Sequence, residues 1–502
     1  MKKNLIASAI AAMGLAATSA YALPPGSTID YTVYVGSGSA QANAHYWAAT
    51  QLLSSVDSYT DSSSCAESGT YRILFGTTKA TSTVGGVTIP SGKNVLYMVR
   101  FGGGTFPNSI QAVANATTLV YPANSAFAAG GPTNTGCPGA PHATYKLASG
   151  FATTSAIPDF GTSDEEVALF NNNLNVVGSY TAASGGLSQF HPGATLSGTA
   201  VANLSQAPLY VNVLGMAVTN AVYTGAHPKT NFTKPEIAAI LSGGISNWNQ
   251  LFADDGTVMP TQAMILVDRT PGSGTKAGIT NYFLVNPSSP GGGLTPYNEN
   301  TGLSGGGPVG TLPTTACSTA NPAAFVDFNE GSNTSVFQAL QSLNTNSCLA
   351  IGILGAEFAP EVEGGGYQLV KINGVDPYSR TTSGTHTIAT YANELNGSYD
   401  LFVSNSFNNR TKNINGGGYA GDGTFHSGFI ALFQAELGNG ALPGGVSGAF
   451  PAGVTGTLLD PAVSNPGACV TTGTHFGNSL APLQLFTDAS AGVQPPCNDP
   501  LN

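Results

Sequence analysis

The segment from Arg269 to Thr275, with the sequence RTPGSGT, combines residue types that suit the binding of an oxyanion. Gly272 and Gly274 let the backbone approach a ligand closely, and Ser273 and Thr275 add hydroxyl groups. A helix predicted to begin near Thr275 would direct free N–H groups and its positive end to the same place. The planar fork of Arg269 can grip two oxygens at once. The segment therefore predicts a site for a tetrahedral oxyanion, and the alternative is a capped helix start beside an exposed arginine.

A second predicted turn, Asp159 to Asp164, places a carboxylate just before a helical pattern. Asp164 can simply cap that helix. If it faced a phosphate instead, it would accept the proton of a protonated phosphate oxygen and repel a fully ionised sulfate, which would give selectivity between the two anions. Both interpretations stay open on the sequence alone.

A third turn, Gly36 to Ser39, joins a predicted strand at Thr28 to Val35 to a predicted helix at Ala40 to Leu53. Such a turn either presents backbone N–H groups at a helix start or is a flexible corner.

The three turns each lie in a strand–turn–helix unit, and such units must be positioned by a sheet. Repeated units of this kind are typical of α/β layers with a largely parallel sheet. Ligands of such sheets bind at the carboxyl ends of the strands. Further strands are predicted at Leu209 to Val218, Ala263 to Val267 and Leu349 to Leu354, and further helices at Lys234 to Leu241, Ala277 to Leu284, Ser335 to Leu343 and His426 to Leu437.

Composition limits the classes of function that remain. The 502 residues include 15 Lys and Arg against 26 Asp and Glu, a net charge of −11, and 41% are hydrophobic. Nucleic-acid binding requires clustered basic side chains, so a nucleic-acid partner is not expected. The hydrophobic content is sufficient for one or more large cores, and it argues against a disordered chain.

The first 22 residues have the pattern of a signal peptide. Lys2 and Lys3 precede an apolar stretch, and Ala20 to Ala22 forms an A-x-A cleavage site. We expect export to the periplasm or beyond, with cleavage after Ala22; the alternative is an uncleaved anchor.

Six cysteines in an exported chain predict three disulfides. Proximity in the sequence suggests the pairs Cys65–Cys137, Cys317–Cys348 and Cys469–Cys497.

Signals for catalysis are weak. Gly302 to Gly306 matches the G-x-S-x-G nucleophile pattern, but it lies in a Gly- and Pro-rich segment and not at a strand–helix elbow. The seven histidines show no paired metal-ligand spacing. We therefore predict no metal, no cofactor and no enzymatic activity, and a phosphate-ester hydrolase would need a nucleophile or metal cluster that these patterns do not supply.

Five segments in order resemble the periplasmic phosphate-binding proteins of phosphate ABC transporters and the related secreted DING-type proteins. The matching segments are Val35–Ala40 (VGSGSA), Phe160–Asp164 (FGTSD), Ile240–Asn249 (ILSGGISNWN), Arg269–Thr275 (RTPGSGT) and Ala350–Ile353 (AIGI). The resemblance implies a two-lobed α/β fold of the type II periplasmic-binding-protein class, with mixed, mostly parallel sheets and a hinge. It implies lobe one at 23–210 with an insertion at about 59–150, lobe two at 211–355, and a return to lobe one with a C-terminal tail at 356–502.

Carried over by position, the family's ligands fall on Asp164, Arg269, Ser273, Gly274 and Thr275, with Ser39 in the first Gly-rich loop. Three positions depart from the family pattern. Pro271 replaces an acidic residue that braces the arginine, although neighbouring Asp268 could take that role. Ala40–Gln41 replaces a Thr–aromatic pair, and Gly102–Thr105 replaces a Gly-Ser-Ser-Gly loop.

The resemblance implies a monomeric, non-catalytic solute-binding protein for phosphate or a related oxyanion, with an ABC-transporter permease as partner. The departures, the insertions and the low charge favour an alternative. In that alternative the chain is a structural or adhesive exported protein that reuses the fold and binds little phosphate.

Overall fold

The computed structural model describes fifteen segments of two residues or more, and residues 317 and 393 singly. The segments are 28–61, 69–79, 88–102, 104–127, 135–137, 145–164, 203–269, 272–284, 325–355, 365–377, 379–383, 386–390, 398–410, 425–438 and 457–459. The predicted signal peptide and the Gly302 to Gly306 segment lie outside these residues.

Lobe one, as the term is used below, comprises nine strands and the helices packed on them. The strands are β1 (Tyr31–Gly36), β2 (Leu53–Thr60), β3 (Tyr71–Thr78), β4 (Asn94–Arg100), β5 (Leu119–Pro122), β6 (Thr135–Gly136), β7 (Tyr145–Lys146), β8 (Thr153–Ala156) and β9 (Phe160–Ser163). Helix α1 (Ala42–Leu52) follows a 3-10 turn at Ser39–Gln41, and α2 (Ala112–Asn115) continues a π-helical segment at Phe106–Gln111. The late helix α7 (Phe425–Gly438) packs on α1 and on the same core.

Lobe two comprises the elements between two long crossing strands. Its helices are α3 (Asn220–Tyr223), α4 (Lys234–Leu241), α5 (Gly274–Leu284) and α6 (Asn333–Thr345). Its strands are β11 (Asn231–Phe232), β12 (Ile265–Arg269), β13 (Val326–Glu330), β14 (Ala350–Gly355), β15 (Tyr367–Leu369) and β16 (Lys371–Ile372). Helix α4 has the predicted bounds. Thr233 begins it with a capping box to Glu236, and Pro235 occupies the first turn.

The crossing strands β10 (Leu204–Thr219) and β19 (Phe402–Arg410) join the lobes. They pair antiparallel over most of their length, and β10 continues into lobe two beside β14, whereas β19 pairs with β9 of lobe one. The resulting sheet has the strand order β13-β12-β14-β10-β19-β9-β1-β4-β3-β2-β7-β6. The remaining described strands are β17 (Ser379–Ser383), β18 (His386–Thr390) and β20 (Thr457–Leu459).

Strand β4 separates two hydrophobic cores of lobe one. Val95, Tyr97 and Val99 lie in the core formed with α1 and α7, while Leu96 and Met98 lie in the core on the opposite face. Successive side chains of a strand point to opposite faces, so a continuous apolar run indicates a strand buried on both sides. Strands β3 and β4 fall within the predicted insertion, yet β4 pairs directly with β1.

The α/β class with mixed sheets is confirmed, but two finer expectations are wrong. Six of the sixteen described strand pairs are parallel, so the sheets are not mostly parallel. Antiparallel pairs prevail because both crossing strands and the β2–β3–β4 meander pair in that way. Phe160 to Ser163, predicted as a turn, forms strand β9, because β1 and β19 pair with it from both sides.

The predicted Cys317–Cys348 disulfide is present. Cys137 is also disulfide-bonded, to a cysteine outside the described residues, so the pair with Cys65 stays a prediction. Cys469 and Cys497 both lie outside the described residues. Among the helices that the structure describes, none has the length and apolar character of a membrane span.

Candidate functional site

The ends of three parallel strands meet at one edge of the lobe-one sheet. Strands β4 and β9 both run parallel to β1, and Gly36 at the end of β1 is in register with Arg100 and with Gly161. The chain segments that leave this edge therefore lie close together. The candidate residues on these segments are Ser39, Thr105 and Asp164.

Arg269 approaches the same place from lobe two. It ends β12 and is 2% exposed. Its Nη2 donates to Ser39 Oγ at 3.3 Å, and its Nη1 donates to Thr275 Oγ1 at 3.4 Å. Its Nη1 also donates to Asn333 Oδ1, and its Nε donates to the Glu330 carbonyl at 3.3 Å. Arg269 is thus oriented by lobe-two acceptors and reaches a hydroxyl of each lobe.

The two hydroxyl contacts of Arg269 are long and involve neutral acceptors. An oxyanion would accept shorter, charge-assisted bonds from the same guanidinium, and these are about twice as strong as neutral ones. Ser39 and Thr275 are free to rotate their hydroxyl hydrogens toward such a ligand. An anion between these groups would gain donors from both lobes.

Asp164 lies between the first Gly-rich loop and the start of α5. It is 2% exposed. A Cβ atom at Gly38 would lie 2.5 Å from Asp164 Oδ1, and a Cβ atom at Gly274 would lie 2.5 Å from Asp164 Cβ. A side chain at either position would displace Asp164, so these two glycines let the carboxylate of lobe one reach the helix start of lobe two.

The surroundings of Asp164 raise the pKa of its carboxyl group toward neutral pH. Burial raises the pKa of its carboxyl to about 6, against the lowering effects of the Arg269 charge, the Thr105 hydroxyl and the Thr275 backbone N–H. Thr105, the last residue of the Gly102–Thr105 segment that departs from the family pattern, has its side chain close to the carboxylate. Asp164 is consequently a group that can exchange a proton with a ligand.

Ser273 and Gly274 form the start of α5. The Ser273 carbonyl accepts the Ala277 N–H at 3.0 Å, and Ser273 Oγ accepts the Lys276 N–H at 3.4 Å. Ser273 thus caps the helix, which is the structural alternative to ligand binding that the sequence left open for this segment. Because Asp164 lies against Gly274 in the first turn, the helix start also faces the candidate site.

A buried ion pair behind this loop was not foreseen from the sequence. Lys276 Nζ lies 2.7 Å from Asp268 Oδ2, and the two side chains are 6% and 8% exposed. Lys276 Nζ also donates to the Arg269 carbonyl at 3.0 Å and to Asn329 Oδ1 at 3.4 Å. Burial, with the charge of Asp268 as a second cause, raises the pKa of neighbouring Asp327 well above its ordinary value. Asp268, expected as a possible brace for the arginine side chain, instead binds Lys276 and the Arg269 backbone N–H.

A second buried polar network supports the first Gly-rich loop. Ser37 Oγ donates to Gln41 Oε1 at 2.7 Å and lies 2.8 Å from Thr162 Oγ1. His45 Nε2 lies 2.6 Å from the same Thr162 hydroxyl, and burial lowers the pKa of His45 to about 3. Gln41, which departs from the family pattern, therefore contributes to the support of the loop.

Two further sequence candidates, Pro271 and the G-x-S-x-G segment, lie outside the described residues. Across the part of the chain that the structure describes, no cluster of His, Cys, Asp and Glu could hold a metal ion.

Comparison with known families finds one match over part of the chain. Residues 177–411 match the model of a PBP superfamily domain, which is somewhat less than half of the chain. With the mixed α/β sheet, this match confirms the predicted fold class. No curated protein matches the sequence significantly.

Solved structures similar to this chain include three proteins described as related to phosphate. A putative phosphate ABC transporter substrate-binding protein from Clostridium perfringens, solved with bound phosphate, is 18% identical, with 47% of this chain and 68% of that chain covered and a TM-score of 0.27. An ABC-type phosphate transport receptor from Vibrio cholerae is 18% identical, with 48% and 70% covered and a TM-score of 0.27. A possible phosphate-binding protein from Planctomyces limnophilus DSM 3776 is 10% identical, with 76% and 82% covered and a TM-score of 0.28.

Proposed function

We propose that this protein is an exported solute-binding protein that captures phosphate or a related oxyanion between its lobes, without chemical turnover. The observation that carries the proposal is the position of Arg269. Its buried guanidinium donates to Ser39 of lobe one and to Thr275 of lobe two, beside the start of α5. Arginine combined with hydroxyl groups and backbone N–H groups is a donor set suited to an oxyanion.

In this proposal each lobe contributes a different part of the ligand shell. Arg269, Ser273, Gly274 and Thr275 donate from lobe two, and Ser39 donates from lobe one. Asp164 supplies the one acceptor and takes the proton of a protonated oxyanion. A ligand held by both lobes stabilises the closed arrangement of the lobes. Hinged binding proteins close around their ligands in this way.

The cellular setting follows from the predicted signal peptide and from the resemblance. The chain would act in the periplasm or outside the cell as a monomer, and would deliver its ligand to an ABC-transporter permease. No cofactor takes part in this function.

Isothermal titration calorimetry of the mature chain, purified free of ligand, tests the proposal. Phosphate, arsenate, sulfate and a phosphonate are titrated separately into the native protein and into Arg269→Ala. The control is Lys371→Ala, which removes a positive charge from an exposed side chain of lobe two. Micromolar or tighter phosphate binding that is lost only in Arg269→Ala is the expected result.

The absence of heat from every oxyanion would overturn the proposal. The structural or adhesive role would then be favoured. One observation fits that alternative, because protein acceptors already engage Nε, Nη1 and Nη2 of Arg269.

A further inference from the structure

Lys276 is a buried cation directly beneath the candidate oxyanion site. It lies in the first turn of α5, one residue after Thr275, and is 5% exposed. A charged ammonium is costly to bury unless it is paired and hydrogen-bonded. A lysine at this place therefore requires a specific set of acceptors.

Those acceptors come from the ends of two strands. Lys276 Nζ contacts Asp268 Oδ2 at 2.7 Å, the Arg269 carbonyl at 3.0 Å and Asn329 Oδ1 at 3.4 Å. Asp268 of β12 and Asn329 of β13 are partners in the parallel register. The ammonium has three N–H donors, and these contacts supply it with a carboxylate, a carbonyl and an amide oxygen as acceptors.

The contacts connect the two ends of the ligand-binding loop. Arg269 is the last residue of β12, and Lys276 lies in the helix that follows the loop. The bond from Lys276 Nζ to the Arg269 carbonyl therefore limits how far the strand end and the helix start can separate. The relative position of the Arg269 guanidinium and the Thr275 hydroxyl depends on that separation.

We propose that Lys276 is a positioning residue that holds Arg269 and Thr275 at the spacing required to bind one oxyanion between them. This inference rests on the proposed function and specifies how its site is built. Lys276 does not touch the ligand. It acts through the Arg269 carbonyl and through Asp268, whose other oxygen accepts the Arg269 backbone N–H at 2.7 Å.

Lys276 also affects the charge available to a ligand. Asp268 is the acidic residue adjacent to Arg269 in sequence, and its Oδ2 is engaged by Lys276. The ammonium offsets the negative charge of Asp268 beside the site. Without Lys276, the negative charge of Asp268 would weaken the attraction between an anion and the Arg269 guanidinium. With Lys276 present, that attraction is stronger.

The test compares a double variant with a matched control. Lys276→Met alone would leave Asp268 buried without its partner, which is strongly destabilising. D268N/K276M removes both charges together, and this is tolerated far better than the removal of one. The control Lys371→Met makes the same change at an exposed lysine whose ion pair with Asp376 is 4.0 Å long.

Three measurements are made on each protein. Hydrogen exchange of peptides covering residues 272–284 is followed without ligand, with peptides of lobe one as reference. Phosphate dissociation constants are then measured by calorimetry, together with the thermal unfolding temperature. In D268N/K276M we expect hydrogen exchange in 272–284 to be about tenfold faster and phosphate binding about tenfold weaker, which is the factor expected for a bond to a charged group. The thermal unfolding temperature of this variant should be unchanged. The control Lys371→Met should match the native protein in all three measurements.

The possible results separate the inference from the proposed function. Unchanged exchange at 272–284 in the double variant would overturn the inference, and so would faster exchange throughout both lobes, which indicates a purely structural role. Faster local exchange with unchanged phosphate affinity would overturn it as well. If the native protein binds no oxyanion, the proposed function and with it this role fail, whereas local exchange still shows whether Lys276 restrains the loop.

Discussion

Arg269 Nη2 donates a hydrogen bond of 3.3 Å to the Ser39 hydroxyl, although 230 residues separate them in the chain. Arg269 ends a strand of lobe two, and Ser39 follows a strand of lobe one. A ligand at this contact would touch both lobes at once. Its binding energy would therefore favour the arrangement in which the lobes are closed.

We predict that Ser39→Ala weakens phosphate binding by roughly 10-fold or more, because a hydrogen bond to a charged group contributes about 1.5–3 kcal/mol. Arg269→Ala should abolish detectable binding, because it removes the charged donor of the site. Calorimetry measures both effects. Ser91→Ala, in an exposed turn of lobe one, is the control. A native dissociation constant in Ser39→Ala would place the ligand away from the contact between the lobes.

Asp164 should determine the selectivity between anions. Asp164→Asn replaces an obligate acceptor by a side chain that can also donate, so we expect weaker phosphate binding and stronger sulfate binding. In the native protein, sulfate affinity should rise as the pH falls below about 6, where Asp164 becomes protonated. Competition titrations at two pH values measure the ratio.

Asp255→Asn is the matched control for this selectivity, because Asp255 is an exposed carboxylate of lobe two. An unchanged ratio of phosphate to sulfate affinity in Asp164→Asn would show that Asp164 only caps a helix.

Local sequence was sufficient to find most of the candidate site. Arg269, Ser273, Gly274 and Thr275 lie in one strand–turn–helix unit, whose chemistry depends on neighbours in sequence. The unit has the predicted form, with β12 ending at Arg269 and α5 beginning at Gly274. The approach of Ser39 from the other lobe followed from the family resemblance, because no spacing in the sequence relates positions 230 residues apart.

The features that were missed depend on distant partners. Lys276 follows a Gly-rich loop in the sequence, and its burial depends on acceptors at the ends of two neighbouring strands, Asp268 and Asn329. Phe160 to Ser163 carries turn-forming residues, yet β19 pairs with it from about 250 residues away. In both cases a tertiary contact overrides the local preference.

His45 should make the fold sensitive to acid. Its pKa is lowered to about 3 in the folded protein by burial, against about 6.5 when unfolded. Between these pH values the unfolded state binds a proton that the folded state does not, so stability is lost as the pH falls through this window. We expect His45→Gln, which does not titrate, to show a smaller decrease in the free energy of urea unfolding between pH 7 and pH 4.

The control for His45 is His227→Gln, an exposed histidine of lobe two. Asp164 acts in the opposite direction, because its raised pKa makes the folded state hold its proton up to about pH 6. A pH dependence identical in native protein and His45→Gln would contradict the prediction.

The Cys317–Cys348 disulfide should stabilise lobe two without shaping the ligand site. It joins two cysteines that are 31 positions apart in the sequence, for which the chain-entropy model gives about 3–4 kcal/mol. The bridge adjoins the end of α6, whereas Asn333, which binds Arg269, lies at the helix start. We therefore expect the Cys317→Ser/Cys348→Ser variant to unfold at lower urea concentration and, while still folded, to bind phosphate within about threefold of the native affinity. A much larger loss of affinity in the folded variant would show that the disulfide positions the site through α6.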